Sequence, residues 1–273
     1  MSQTDWSGRA AEALRRIRER RPLVHQITNL VVMNPTANAT LAIGASPVMA
    51  HAHQEVADMV QLAGALVLNT GTLDPDWIES MLLAGRRANE LGVPVILDPV
   101  GAGATPYRTQ TDLMLLSTLE VSVLRGNAGE IGALTGAGGA VRGVDSVEGV
   151  ADPLQVATAG ARRWKTTVAI TGARDVLSDG TRGVAVDNGH PLLTLVTGTG
   201  CTATALIGAF AAVEEDRLVA AASALAIYGL AAEVAAETAR GPGTFQAALF
   251  DSLYNLTPEE AEAGVRITPL PVD

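Results

Sequence analysis

Four short runs set the frame of this chain: residues 65–68, 94–97, 121–124 and 167–170, each almost wholly apolar and each separated from the next by helix-like sequence. A strand that is apolar on both faces has to be covered on both faces. Strands of that kind alternating with helices give a parallel sheet with a helical layer above and below. The helix after the first run opens on Asp74-Pro75, which supplies a cap and a first-turn proline, and Gly92 stops it. Further helices are expected at 107–118, 128–134 and 153–164. The expected fold is α/β: a three-layer αβα sandwich whose central sheet is mostly parallel.

The flanks extend this frame. Upstream, a surface helix over 5–20 leads to a strand at 23–27 and a helix over 31–43 with Pro35 in its first turn. Thr28 or Asn29 is positioned to cap that helix. A short strand at 46–50 and a helix at 54–62 follow. Downstream, strands at 176–178, 183–187 and 192–196 are divided by Asp179-Gly180 and Asn188-Gly189, dipeptides that mark tight hairpins. They predict an antiparallel edge joined to the parallel sheet. Helices are expected at 202–213, 217–239 and 244–254, and a glycine-rich loop at 138–149. No linker divides the 273 residues, which read as a single domain over 1–273.

Composition removes several classes of function. The formal net charge is −10 and the basic residues cluster only at 15–21, so no nucleic-acid partner is expected. One cysteine excludes an internal disulfide and any cysteine-rich zinc site. The apolar stretch at 218–232 contains Ser223 and Gly229 and is short for a membrane span, so it reads as a buried helix. The N-terminus carries charges without an apolar secretory core. The expectation is a cytoplasmic protein with no membrane partner.

Chemistry concentrates at the ends of the strands. Thr197-Gly198-Thr199-Gly200-Cys201 stands between the apolar run 192–196 and a helical run of small residues. Two glycines there let backbone approach a ligand, and the helix start presents unpaired N–H groups and partial positive charge. Such a cradle suits phosphate. The run at 94–97 ends in Asp98-Pro99, the run at 121–124 leads into Arg125-Gly126-Asn127-Ala128-Gly129-Glu130, and the run at 167–170 ends in Thr171-Gly172. Ligands of open α/β sheets bind outside the carboxyl ends of the strands. Carboxylates for Mg²⁺, an arginine for phosphate and a glycine-rich cradle suit phosphoryl transfer. Singly, each residue has a structural explanation: Asp98 as a strand terminator, Glu130 as a helix-start carboxylate, Arg125 as half of a surface ion pair. Together at successive strand ends, the structural explanation needs several coincidences.

Two of these motifs, Asn127-Ala-Gly-Glu130 and Thr197-Gly-Thr-Gly-Cys201, resemble motifs of the ribokinase-like superfamily. Longer stretches narrow the resemblance: Pro22-Leu-Val-His-Gln-Ile-Thr-Asn29, Gly44-Ala-Ser-Pro-Val-Met-Ala50, and Ile96-Leu-Asp-Pro-Val-Gly-Ala-Gly-Ala104. From about Pro22 to Phe250 the chain is similar to the hydroxyethylthiazole kinase family. That resemblance implies a ribokinase-like fold and ATP- and Mg²⁺-dependent phosphorylation of 4-methyl-5-(2-hydroxyethyl)thiazole. It also implies a homotrimer with active sites between subunits. By motif position, Met49, Gly198 and Asn29 would contact the thiazole, Arg125 and Thr171 ATP, and Asp98 and Glu130 the magnesium and phosphates. Gly198, Gly200 and Cys201 would form the catalytic anion hole. Cys201 stands where the superfamily usually has aspartate. A helix start lowers a thiol pKa and bound phosphates raise it, so a largely neutral thiol is expected in the ternary complex.

Other readings carry less. His51-Ala-His53 invites a metal, but no third ligand is evident. Asn69-Thr70-Gly71 ends a strand and either lines the pocket or turns the chain. Gly198-x-Gly200-x-x-Ala203 fits a dinucleotide fingerprint, which requires a second strand after its helix; here another helix follows at Arg217. A catalytically inactive nucleotide sensor on the same fold is disfavoured by the intact Asp98, Glu130 and Cys201.

Overall fold

The computed structural model describes residues 4–137 and 152–272, so the loop expected at 138–149 lies outside the described residues. Six parallel strands come first: β1 (Leu23–Ile27), β2 (Ser46–Val48), β3 (Ala65–Asn69), β4 (Val95–Asp98), β5 (Val123–Asn127) and β6 (Thr167–Thr171). Three antiparallel strands complete the sheet: β7 (Asp175–Ser178), β8 (Gly183–Val186) and β9 (Ile267–Leu270). The spatial order is β2-β1-β3-β4-β5-β6-β7-β8-β9. This is the expected αβα sandwich with an antiparallel edge.

The strands are buried because alternate side chains enter two separate cores. Val24, Val67, Ile96, Val123 and Ala169 pack into one with α1 (Trp6–Arg20), α2 (Met33–Ile43), α8 (Thr199–Ala211), α9 (Arg217–Thr238), α10 (Pro242–Asn255) and α11 (Pro258–Gly264). Leu66, Leu68, Val95, Leu97, Leu124 and Val168 pack into the other. That second face is covered by α3 (Val56–Leu62), α4 (Pro75–Leu91), α5 (Pro106–Thr118), α6 (Ala128–Thr135) and α7 (Pro153–Trp164). Helix α9 is long and apolar enough to cross a membrane, yet 83% of its apolar window is buried within the fold. It is a core helix, as its alanines suggested.

Three local expectations are corrected. The strand expected at 192–196 is a 3₁₀ turn, Pro191–Leu195. Pro191 fixes the first φ, and the His190 Nδ1 accepts from the Leu192 amide. The place beside β8 is taken by β9, which the sequence reading did not anticipate. Asn188-Gly189 is consequently no hairpin: Asn188 Nδ2 donates to the Gly264 carbonyl and the Gly189 amide to Glu233 Oε1. Neither Thr28 nor Asn29 caps α2; the cap position is Val32, with no side-chain bond, and Asn29 Oδ1 accepts from the Val31 amide instead. The short helix α11, opened by a Thr257–Glu260 capping box, was also missed.

Helix α8 lies unusually close to the sheet. A Cβ built on Gly208 would come within 2.7 Å of Val67 Cγ2 and 3.1 Å of Val24 Cγ1. Both valines are at most 2% exposed and β-branched, so they have little room to yield. Gly208→Ala should destabilise the fold by about 1–3 kcal/mol despite its better helix propensity. Thermal unfolding measures this, and a variant as stable as the parent would show that α8 shifts freely.

Candidate active site

The parallel strands end in register, and that places the polar residues side by side. Asn69 lies opposite Asp98 and Asn127 opposite Thr171. Asn29 lies two residues beyond β1, and α8 begins at Thr199 behind its cap Gly198, with Cys201 in its first turn reaching Asn29.

Asp98 is the centre of the arrangement and has no solvent exposure. Its Oδ2 accepts from Asn69 Nδ2 and from Thr204 Oγ1, each at 2.9 Å. Its Oδ1 makes no hydrogen bond and lies 3.7 Å from a terminal nitrogen of Arg125. Burial pushes the Asp98 pKa up to about 6, against the opposing charge of Arg125 and the two hydrogen bonds, while Glu130 adds to the rise. The carboxylate is thus mostly ionised at neutral pH. Arg125, on β5, also donates to Thr171 Oγ1, and its Nε makes no hydrogen bond. This largely buried guanidinium retains donor capacity and lies against Gly200 of the loop.

The start of α8 is the cradle anticipated from sequence, although a 3₁₀ turn and not a strand precedes it. Gly198 is the cap, at φ +83°, and a Cβ there would lie 2.7 Å from Val32 Cγ1. A Cβ on Gly200 would press on the Arg125 guanidinium at 2.7 Å. The two glycines serve different ends: one permits the turn, the other lets Arg125 lie against it. Thr199 Oγ1 closes the loop by donating to the Leu193 carbonyl. Cys201 Sγ sits 3.6 Å from Asn29 Nδ2. Burial first, and then the Asp98 charge, push the thiol pKa up to about 12. Burial therefore keeps the thiol protonated before any phosphate charge is considered.

Glu130 has a clear structural task. Its Oε2 accepts from the Asn127 amide while Asn127 Oδ1 accepts from the Glu130 amide, a capping box for α6. Its Oε1 accepts from the Gly101 amide and so anchors the loop after β4. Each oxygen keeps a second lone pair. Among the described residues no three His, Cys, Asp or Glu side chains gather as a metal site. Mg²⁺ commonly needs only one or two carboxylates when phosphates and water supply the rest. The unbonded Oδ1 of Asp98, with Glu130 close enough to shift its pKa, fits a cation that arrives with a nucleotide.

Asn29, Asp98, Arg125, Glu130, Thr171, Gly198, Gly200 and Cys201 are therefore brought together. Met49 follows β2, the edge strand paired with β1. His51 and His53 do not form a metal pair; the His51 ring packs on Trp77 at 4.9 Å and His53 Nε2 bonds the Asp76 carbonyl. Sequence reasoning missed Arg108, whose guanidinium donates to the carbonyls of Thr70, Gly71 and Val100. It therefore staples the loops after β3 and β4. A lone arginine in the first turn of a helix gave no signal.

Comparison with known proteins fits this geometry. Residues 14–259 match the hydroxyethylthiazole kinase family. The chain is 64% identical to a hydroxyethylthiazole kinase of Desulforudis audaxviator over 96% of both chains. It is 62% identical to one of Roseiflexus castenholzii, covering 96% of this chain and 97% of the other. The solved structure of a hydroxyethylthiazole kinase protein from Pyrococcus horikoshii superposes with a TM-score of 0.88 at 50% identity, covering 96% of this chain and 99% of that one. A pyridoxal kinase of Bacillus subtilis shares the fold at a TM-score of 0.56 and 15% identity, over 78% of this chain and 92% of that one. With near end-to-end matches in sequence and in structure, the chain belongs to the hydroxyethylthiazole kinase family.

Proposed function

We propose that this chain transfers the γ-phosphoryl group of ATP to the hydroxyl of 4-methyl-5-(2-hydroxyethyl)thiazole, in thiamine biosynthesis or salvage, as a single cytoplasmic domain. The observation that carries the reading is the α8 cradle beside a buried Asp98 carboxyl and the donor-rich Arg125, in a chain of this family. The backbone N–H groups of residues 198–201 would meet charge on the transferred phosphoryl group, helped by the N-terminal dipole of α8. Arg125, oriented by Thr171, would bind ATP phosphates. Asp98 and Glu130 would hold Mg²⁺, which when bound neutralises phosphate charge. Met49, Asn29 and Gly198 would line the thiazole site. The test is ADP release with the thiazole alcohol and with hydroxymethylpyrimidine; turnover of only the second would overturn the choice of substrate. Asp98→Asn should abolish turnover of the thiazole while leaving its binding nearly intact.

The thiol is not the main source of rate. With a pKa near 12 it is a poor base at neutral pH. Phosphoryl transfer through a loose transition state leaves the attacking hydroxyl largely protonated until late, so its proton can pass to the phosphoryl group itself. Cys201→Ala should therefore lower kcat by less than about 10²-fold, the low end for general-base help. Cys201→Asp should stay active. A loss of about 10³-fold or more with substrate binding intact would make the thiol an essential base.

We also propose a homotrimer with active sites between subunits. Leu30, Val31 and Leu195 are 68%, 62% and 62% exposed, and all three flank site residues in the chain. Covering them with a second copy would bury apolar surface and offer a route for the sheet-edge Met49 to reach a neighbour's site. Light scattering should give three times the chain mass, and an active monomer would refute the assembly.

A further inference from the structure

Asn69 ends β3 and is 2% exposed, and both ends of its amide are committed. Oδ1 accepts from Asn29 Nδ2 at 2.8 Å and from the Gly71 amide at 3.0 Å, and Nδ2 donates to Asp98 Oδ2 at 2.9 Å. The reversed amide would face two donors with a donor and a carboxylate with an oxygen, so its surroundings dictate its orientation. Asn29 is fixed in the same way: Oδ1 accepts from the Val31 amide, and Nδ2 reaches both Asn69 and Cys201 Sγ. The contacts form a closed circuit, Cys201–Asn29–Asn69–Asp98–Thr204, which starts and finishes on α8. It links Cys201 and Asn29 to the buried carboxylate of Asp98 through the side chain of Asn69.

We propose that Asn69 is a positioning residue for phosphoryl transfer. It engages Oδ2 of Asp98, so that Oδ1 is the oxygen left for the phosphate side, and it holds the Asn29 amide against Cys201. The inference rests on the kinase reading above. A simple turn role does not account for the residue, because the Gly71 bond and the Asn29 bond need only a side-chain acceptor. An aspartate would satisfy both. The bond to Asp98 and the approach to the Cys201 sulfur require the amide N–H, and an aspartate there would set carboxylate against carboxylate.

Asn69→Asp therefore separates the two roles. Wild-type turnover of the thiazole is the control, and its absence would overturn the parent reading and this one with it. In an active background, Asn69→Asp should lower kcat by about a hundredfold. It should raise KM for ATP while leaving the equilibrium Kd for thiazole, measured without ATP or magnesium, within about threefold. Asn69→Ala should weaken that thiazole binding, and Asn29→Ala should add little to it in the double variant, because one contact is removed either way. Asn69→Asp with near-normal kcat and KM would overturn the positioning role alone. So would loss of thiazole binding and thermal stability in parallel with activity, or fully additive effects of the two alanine variants.

Discussion

A carboxylate with no exposure to solvent governs how this protein is put together. An ionised Asp98 is tolerable only if donors and positive charge replace the water it has lost, and these arrive from different parts of the chain: Asn69 from β3 and Thr204 from α8 donate to it, and the Arg125 guanidinium from β5 lies beside it. Each has to be delivered to one point to within a few tenths of an ångström. Parallel strands in matched register do this, because their ends align without any intervening loop having to be rigid. The sheet is thus a device for convergence, and the helices keep it dry.

The cradle obeys a second constraint, that of close approach. Gly198 turns against Val32, Gly200 against Arg125 and Gly208 against the sheet. Three positions on one short helix give up side chains for different neighbours, and together they fix its height and its starting point. From Ala205 to Ala211 the rest of α8 is buried alanine, leucine, isoleucine and phenylalanine, which bind it to the core. A rigid cradle avoids ordering its donors during each turnover.

Much of this was legible in the sequence. The apolar runs identified the parallel strands because burial on both faces leaves a plain compositional trace. Asp98, Arg125, Glu130 and Thr171 stood out because they terminate or follow those runs. Two things were hidden. The run at 192–196 looks like a strand locally, but Pro191 and the competing pairing of β9 with β8 decide otherwise, and strand pairing across more than eighty residues leaves no local trace. The second was the hydrogen-bond circuit. Asn69-Thr70-Gly71 reads from sequence as either pocket lining or a turn, and the bond from Asn69 to Asp98, which depends on strand register, is what separates the two. The capping box around Glu130 was written in the motif, yet its hold on Gly101 was not.

The staple made by Arg108 works on backbone. It grips Thr70, Gly71 and Val100 only by their carbonyl oxygens. The grip itself needs no side chain at those positions, yet the loop after β3 is not free to take any: a Cβ on Gly71 would lie 2.5 Å from Asn29 Nδ2, and Thr70 Oγ1 donates to the Asp98 carbonyl. Arginine, glycine and threonine thus close one loop from three sides, and a substitution at any of them would be felt at Asn29 or Asp98.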